Sequence, residues 1–330
     1  MWDKTELEKL FYTKINNETE LTHPSQTYVT HYNTVKEYFC TNLYHDIARI
    51  EPDLTDHGEK HIKNVLQNAY SLIKDDNLNG IELYILCMSI LIHDIGNLDG
   101  RKGHEKKLRL YFNKTNFKTI DNDHIKLISL IASKHGGKDC DAIGGGNLPL
   151  NTTLDRISVR SHKIAAIVRF ADELAEGKQR SSKILLETQK LISSSELYHE
   201  YAQILKPPCI LKDTIALEFI IDLDTIKTPL EELLPELFNR IEKLNNEKIY
   251  CSHYCTSIQN INKVTVSLKF YQDDNFDEIS FSNSKLVNFE FSGKNIHCTN
   301  NESQEKHIEN ILTFLSSTSN NFTRNINARK

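Results

Sequence analysis

Residues 89–105 read SILIHDIGNLDGRKGHE. An apolar run stops on His93 and Asp94, two groups that resist burial, and a third candidate ligand, His104, follows ten residues after Asp94. Upstream, Leu83, Leu86, Ile90 and His93 recur at helical spacing, so His93 falls on the face that an apolar helix turns inward. Burying an imidazole or a carboxylate costs on the order of several kcal/mol unless the group is hydrogen-bonded, paired or coordinated. The rest of the chain must supply the partners.

Working outward, the same pattern returns. Val65, Ala69 and Leu72 follow His61 on one helical face, and Ile125, Ile128, Ala132 and His135 form another. Asp172 lies within VRFADELAEG, and His57 precedes His61 by four residues in TDHGEKHIKNV, one turn earlier on the same face. A single histidine at the end of an apolar stripe is ordinarily a satisfied core residue. An ordered set of His61, His93-Asp94, His104, His135 and Asp172 asks for a shared partner, and a divalent metal offsets the burial cost of several such groups together. Borderline metals (Mn, Fe, Zn, Ni or Co) accept mixed imidazole and carboxylate ligands, whereas calcium takes nearly all oxygen.

That order resembles the HD superfamily of metal-dependent phosphohydrolases over roughly residues 54–177. HIKNV looks like the first-ligand helix, LIHDIG like the name-giving motif and VRFADEL like the closing Asp helix. The resemblance implies that His61, His93, Asp94 and Asp172 hold one divalent transition metal. In two-metal members Asp94 would bridge to a second ion held by His104 and His135, so one or two ions are expected. Two positions depart from the two-metal phosphodiesterase pattern: Gly136 stands where a second histidine often follows, and Asn97 where a lysine can follow HDIG. GRKGHE also looks like the His-Glu segment of the nucleotide triphosphohydrolase branch.

The implied chemistry is cleavage of a phosphoester or phosphoanhydride bond in a small phosphorylated or nucleotide substrate. A bound divalent ion lowers the pKa of its water from about 15.7 to about 7, giving hydroxide at neutral pH. His57 is the candidate proton donor or phosphate hydrogen-bond donor. Lys134, with Arg101 and Lys102, is a candidate phosphate cradle. Arg169 and Glu176, one turn either side of Asp172, read as a structural salt bridge. The alternative reading is an HD-fold regulatory module that senses a nucleotide without turnover.

The expected fold is mainly α, an HD-type helical bundle with a smaller C-terminal α/β subdomain. Residues 1–53 form an N-terminal helical segment, 54–200 the metal-binding domain, 201–300 the α/β subdomain, and 301–330 a terminal helix and tail. Helices are also expected near 26–50, 104–113, 160–176, 182–194 and 303–316. TIALEFIID (214–222) and KVTVSLKFY (263–271) alternate at period two, with a helix entered through Pro229 between them. Short strands are expected beyond residue 272. AIGGGNLPL (142–150) lacks the Gly-Lys-Ser/Thr of a phosphate loop and reads as a flexible loop or flap.

With 330 residues the chain can bury a core unaided. Its net charge of -5 and pI near 6.3 argue against a general nucleic-acid ligand. No run of about 18 uncharged apolar residues suggests a membrane partner. Seven irregularly spaced cysteines and the lack of a signal-peptide pattern favour a cytoplasmic protein with free thiols, Cys251 and Cys255 among them. A homo-oligomer is compatible with the sequence.

Overall fold

The structure is a computed structural model. It describes residues 2–50, 57–100, 103–114, 117, 119–136, 142–182, 186, 188, 193–271, 289–292, 295–298 and 304–318. The fold is mainly α with a small α/β part. Its two compact units are residues 1–175 with 247–260, and residues 176–246 with 261–330. The first unit therefore takes in the segment expected as 1–53, and its main stretch ends at Ala175, ahead of the boundary expected at residue 200.

The first unit is a helical bundle: α1 (Glu6–Asn16), α2 (Ser25–Asn42), α3 (Tyr44–Ile50), α4 (Glu59–Ile73), α5 (Gly80–Ile92), α6 (Leu108–Lys114), α7 (Asn122–Ala132) and α8 (Ser161–Glu173). Every residue of α5 is buried, and α1, α2, α4, α7 and α8 pack around it. A helix apolar on all sides belongs at the centre of such a bundle. Gly80–Asp99 is long and apolar enough for a membrane span, but its most apolar window is 94% buried inside the protein.

Capping fixes where this central helix begins. Asn79 and Glu82 form a capping box, and Glu82 also receives the Arg160 guanidinium at the entry to α8. Gly80 lets α1 approach, because a β-carbon there would lie 2.7 Å from the Ile15 backbone. The other end of α5 delivers His93 and Asp94 to the site.

The helix expected over 26–50 is divided at Leu43 into α2 and α3, and the one expected over 104–113 opens as a 3-10 turn, His104–Lys106, before α6. The NTTLD stretch, read as part of a break, contributes to a hairpin of β1 (Thr152–Leu154) and β2 (Ile157–Val159). Its two turn residues, Asp155 and Arg156, both have positive φ, as a tight hairpin turn requires. The helix expected over 182–194 lies mostly outside the described residues.

The second unit holds α9 (Ser193–Ile204), most of α10 (Leu230–Ser252) and a sheet of order β3-β4-β5-β6-β7, with α12 (Gln304–Thr318) following it. β4 (Thr214–Asp222) and β5 (Lys263–Tyr271) pair in parallel. Ile215, Leu217, Phe219 and Ile221, and Val264, Val266, Leu268 and Phe270, are the buried sets expected from the period-two pattern. β3 (Cys209–Leu211), β6 (Phe289–Ser292) and β7 (Asn295–Cys298) complete it with antiparallel pairings. The end of α10 and the short α11 (Thr256–Gln259) fall within the Glu247–Asn260 stretch of the first unit.

Among the described residues Cys40, Cys87, Cys209, Cys251 and Cys255 are free thiols. Cys251 and Cys255 are buried, and no potential metal group among the described residues includes them.

Candidate metal centre

Helix ends carry the candidate ligands. His61 lies in the first turn of α4, His93 caps the C-terminus of α5, Asp94 starts the 3-10 turn that follows, and Asp172 sits in the last turn of α8. Asn68 of α4 donates to the Ala171 carbonyl at 3.2 Å, tying the His61 helix to the Asp172 helix. Ser89 donates to the Ile128 carbonyl at 3.3 Å, tying α5 to α7, which leads to His135. Rigid helices thus fix the positions, while irregular turns between them let the side chains converge.

Two groups of ligand atoms meet. In the first, His61 Nε2 lies 3.3 Å from His93 Nε2, 3.1 Å from Asp172 Oδ1 and 3.4 Å from Asp94 Oδ2, and His93 Nε2 lies 3.3 Å from that same Asp94 oxygen. In the second, His104 Nε2 and His135 Nε2 are 2.9 Å apart and lie 3.5 and 3.7 Å from Asp94 Oδ1. One carboxylate therefore faces two histidine pairs, one with each oxygen. All six residues named for metal in the sequence fall in these two groups.

The donor set fits a divalent transition metal. Bonds of about 2.0–2.2 Å place neighbouring ligand atoms of one shell roughly 3.0–3.5 Å apart, close to the spacings found. The Nδ1 atoms of His93 and His135 lie 2.8 and 2.6 Å from the Ile90 and Ala132 carbonyls. A proton on Nδ1 satisfies each carbonyl and turns the Nε2 lone pair into the site, the arrangement that metal-binding histidines use.

Electrostatics point the same way. Burial alone would raise Asp94 and Asp172, but facing histidines, His93 above all, outweigh it and hold both carboxyls well below the usual range. Burial would lower His93, yet the charges of Asp94 and Asp172 hold it well above the usual histidine value. His135, buried and near the His93 charge, is pushed down to about 4. The buried carboxylates make the site one for cations.

Several residues outside the ligand set shape it. Gly96 passes under the His104 carbonyl so closely that a β-carbon would overlap it. Asn97 donates to Asp94 Oδ1 at 3.1 Å. His135 lies beyond the end of α7, where no helix holds it; Arg169 donates through Nη1 to the carbonyls on either side, Lys134 at 3.3 Å and Gly136 at 3.1 Å. The same guanidinium pairs with Glu247 and lies over the Tyr250 ring. Arg169 is thus a clamp on the His135 turn, and its ion-pair partner is Glu247 on α10. Glu176, by contrast, approaches Arg240.

His57 is buried, with its ring centroid 5.6 Å from that of His61, and its charge is among those that lower Asp94. Lys134 turns its ammonium against Gly146, in the 142–150 loop. Arg101 and Lys102 lie outside the described residues. The Arg169 clamp and the Gly96 approach were not readable from the motif spacing. One signal was present: a glycine after HDI is the residue a tight passage requires.

A family model, HD-CE, matches residues 51–246, more than half of the chain and a span that contains all six ligand candidates. The chain belongs to the HD-CE family. An HD-CE domain with buried histidines and aspartates able to hold a divalent metal fits a metal-dependent hydrolase of HD type. No curated protein matches the sequence.

Proposed function

We propose that the chain is a metal-dependent phosphohydrolase that cleaves a phosphoester or phosphoanhydride bond of a small nucleotide-type substrate, using two divalent transition-metal ions that share Asp94. The observation that carries this reading is the division of one carboxylate between two histidine pairs, Oδ2 towards His61 and His93 and Oδ1 towards His104 and His135. Ions held there by His61, His93, Asp172, His104 and His135 would supply a polarised water and positive charge for the phosphate oxygens.

The side chains do the remaining work. His57, which lies just before the Gly58 cap of α4 rather than on the helix face with His61, is buried beside it and donates a proton to the leaving oxygen or a hydrogen bond to the phosphate. Lys134 supplies positive charge on the turn that bears His135, where it attracts the substrate phosphate and holds the adjacent loop. Arg169 keeps His135 in place without touching the substrate.

The test combines metal analysis of the purified protein with a product assay on nucleoside triphosphates, cyclic dinucleotides and model phosphodiesters. Release of triphosphate, pyrophosphate or monophosphate names the bond cut. Asp94→Ala should lose the metal and the turnover together. Protein that contains no transition metal, and that leaves the whole panel intact when given manganese, sinks the proposal.

A second reading, a nucleotide sensor without turnover, is favoured by one contact. The Asn97 amide donates to Asp94 Oδ1, the oxygen that a second ion would need. Tight nucleotide binding, with the ligand recovered unchanged after long incubation with metal, selects it.

A further inference from the structure

Apart from the six ligands above, a second group of histidines and carboxylates gathers in the first unit, on residues the proposed reaction does not use. Asp121 precedes α7 in the extended backbone of a helix cap, yet its carboxylate makes no capping bond to the first turn. It turns instead to His23, in the connection between α1 and α2, with Oδ2 2.9 Å from Nε2. One turn into α7, His124 Nε2 lies 3.0 Å from Asp155 Oδ2. Asp155 is held there by the left-handed turn of the β1–β2 hairpin, where its φ is 50°, and by the Tyr28 hydroxyl, which donates to Oδ2 at 2.6 Å.

One ligand atom from each of Asp121, His124 and Asp155 lies within 4.8 Å of the other two. His124 is buried, and its Nδ1 has no hydrogen-bond partner among the described residues. A nearby second imidazole, His31, is also buried with its Nδ1 unpartnered there. Buried imidazole nitrogens without partners are costly, and two carboxylates drawn together repel. A cation bound by Asp121, His124 and Asp155 would offset that repulsion.

Asp121, His124 and Asp155 line a cavity of about 780 Å³ that also presents Asn147 and Thr152. Asp121 and His23 are exposed, so the group can load from solvent.

We propose that Asp121, His124 and Asp155, with His23 beside Asp121, form a structural site for a borderline divalent cation of the zinc class, separate from the Asp94 centre. The donor chemistry sets the class: two carboxylates with one or two imidazoles suit zinc, manganese or cobalt, whereas calcium would want oxygen throughout. The ion would staple three segments: the α1–α2 connection, the start of the helix that leads to His135, and the hairpin that leads into the Asp172 helix. Its role is to hold the frame, not to meet the substrate.

The test uses the full chain, stripped with a chelator and titrated with zinc, with bound ions counted by elemental analysis after gel filtration. Asp121→Asn and Asp155→Asn should each bind one ion fewer than the parent, and zinc should raise their thermal midpoints less. Asp94→Ala should lose the ions of the other centre and keep this one. Asp121 is exposed, so its variant decides if the Asp155 variant fails to fold. Asp121→Asn protein that binds as many ions as the parent overturns the proposal. So does Asp94→Ala protein that binds none. If Asp94→Ala keeps every ion while Asp121→Asn loses one, this site stands and the reading of the Asp94 centre fails.

Discussion

Gly96 passes beneath His104 with no room for a side chain, because a β-carbon on Gly96 would lie 2.0 Å from the His104 carbonyl oxygen. His104 starts its own 3-10 turn and has no long helix to hold it, so its position depends on that close passage. Gly96→Ala should push His104 away from Asp94 while leaving His61, His93 and Asp172 together. The expected result is loss of one of two bound ions, a fall in turnover of about 10–100-fold as for disturbed ligand support, and a stability cost of about 1–3 kcal/mol from overpacking. Ion counting alongside urea unfolding checks it, and full metal content in the variant contradicts it.

Arg169 supports the other ligand of that pair. Its two bonds to Glu247, at 2.6 and 2.7 Å, fix the fork that grips the carbonyls around His135. Arg169→Ala would leave a largely buried carboxylate unpaired and two carbonyls without their donor, at a cost of about 3–5 kcal/mol. Arg169→Lys restores the charge without the planar fork and should recover stability better than it recovers the second ion. Thermal unfolding and metal stoichiometry, measured on both variants, separate the two effects.

Metal affinity should depend on pH through His93. Asp94 and Asp172 hold its pKa above the ordinary value, so at neutral pH the chelator-stripped protein carries a proton that must leave before Nε2 can bind an ion. Affinity therefore rises with pH, by roughly tenfold per unit while one proton is released, and levels off once the pH passes the raised pKa. His135, pushed down to about 4, is already bare at neutral pH and adds no such step. Titration calorimetry in two buffers of different ionisation enthalpy would show the released proton, and equal heats in both would rule it out.

Far from the ligands in sequence, Glu8 and Lys36 form a buried ion pair at 2.8 Å, with the Tyr32 hydroxyl and the Thr5 amide also donating to Glu8. Burial would raise the Glu8 pKa, but the bonds from Lys36, Thr5 and Tyr32 outweigh it and lower it. A lowered carboxyl contributes stability that is fully present above its unfolded value of about 4.3 and is lost as pH falls through the folded value. Glu8→Ala should cost about 3–5 kcal/mol at neutral pH by stranding the ammonium. The gap between variant and parent should narrow in acid, as urea unfolding at neutral pH and below about pH 4 would reveal.

The helical framework and the two clusters of candidate ligands were legible because each depends on a local pattern. An apolar stripe that ends on His61, His93 or His135 states both the helix and the awkward group it buries. The same holds for the alternating strands β4 and β5. What stayed hidden depends on contacts between residues distant in sequence. Arg169 and Glu176 each lie one turn from Asp172, yet Glu176 falls beyond the end of α8 at Glu173, and Arg169 pairs with Glu247, seventy-eight residues away in the sequence. The β1–β2 hairpin escaped notice because its strands are three residues long and its turn residues, Asp155 and Arg156, are not glycine. His23, Asp121, His124 and Asp155 form no motif at all, since three separate segments bring them together.

The discontinuity of the first unit sets a rule for dissecting the protein and for its synthesis. A fragment cut to the family limits, ending at Asn246, would contain all six candidate ligands and Arg169, but neither Glu247 nor Tyr250. As the chain emerges from the ribosome, the ligands come first, and the brace for His135 arrives only after most of α10 has been translated. A shortened recombinant protein could thus be complete by motif and still lack the carboxylate against which the Arg169 clamp is set.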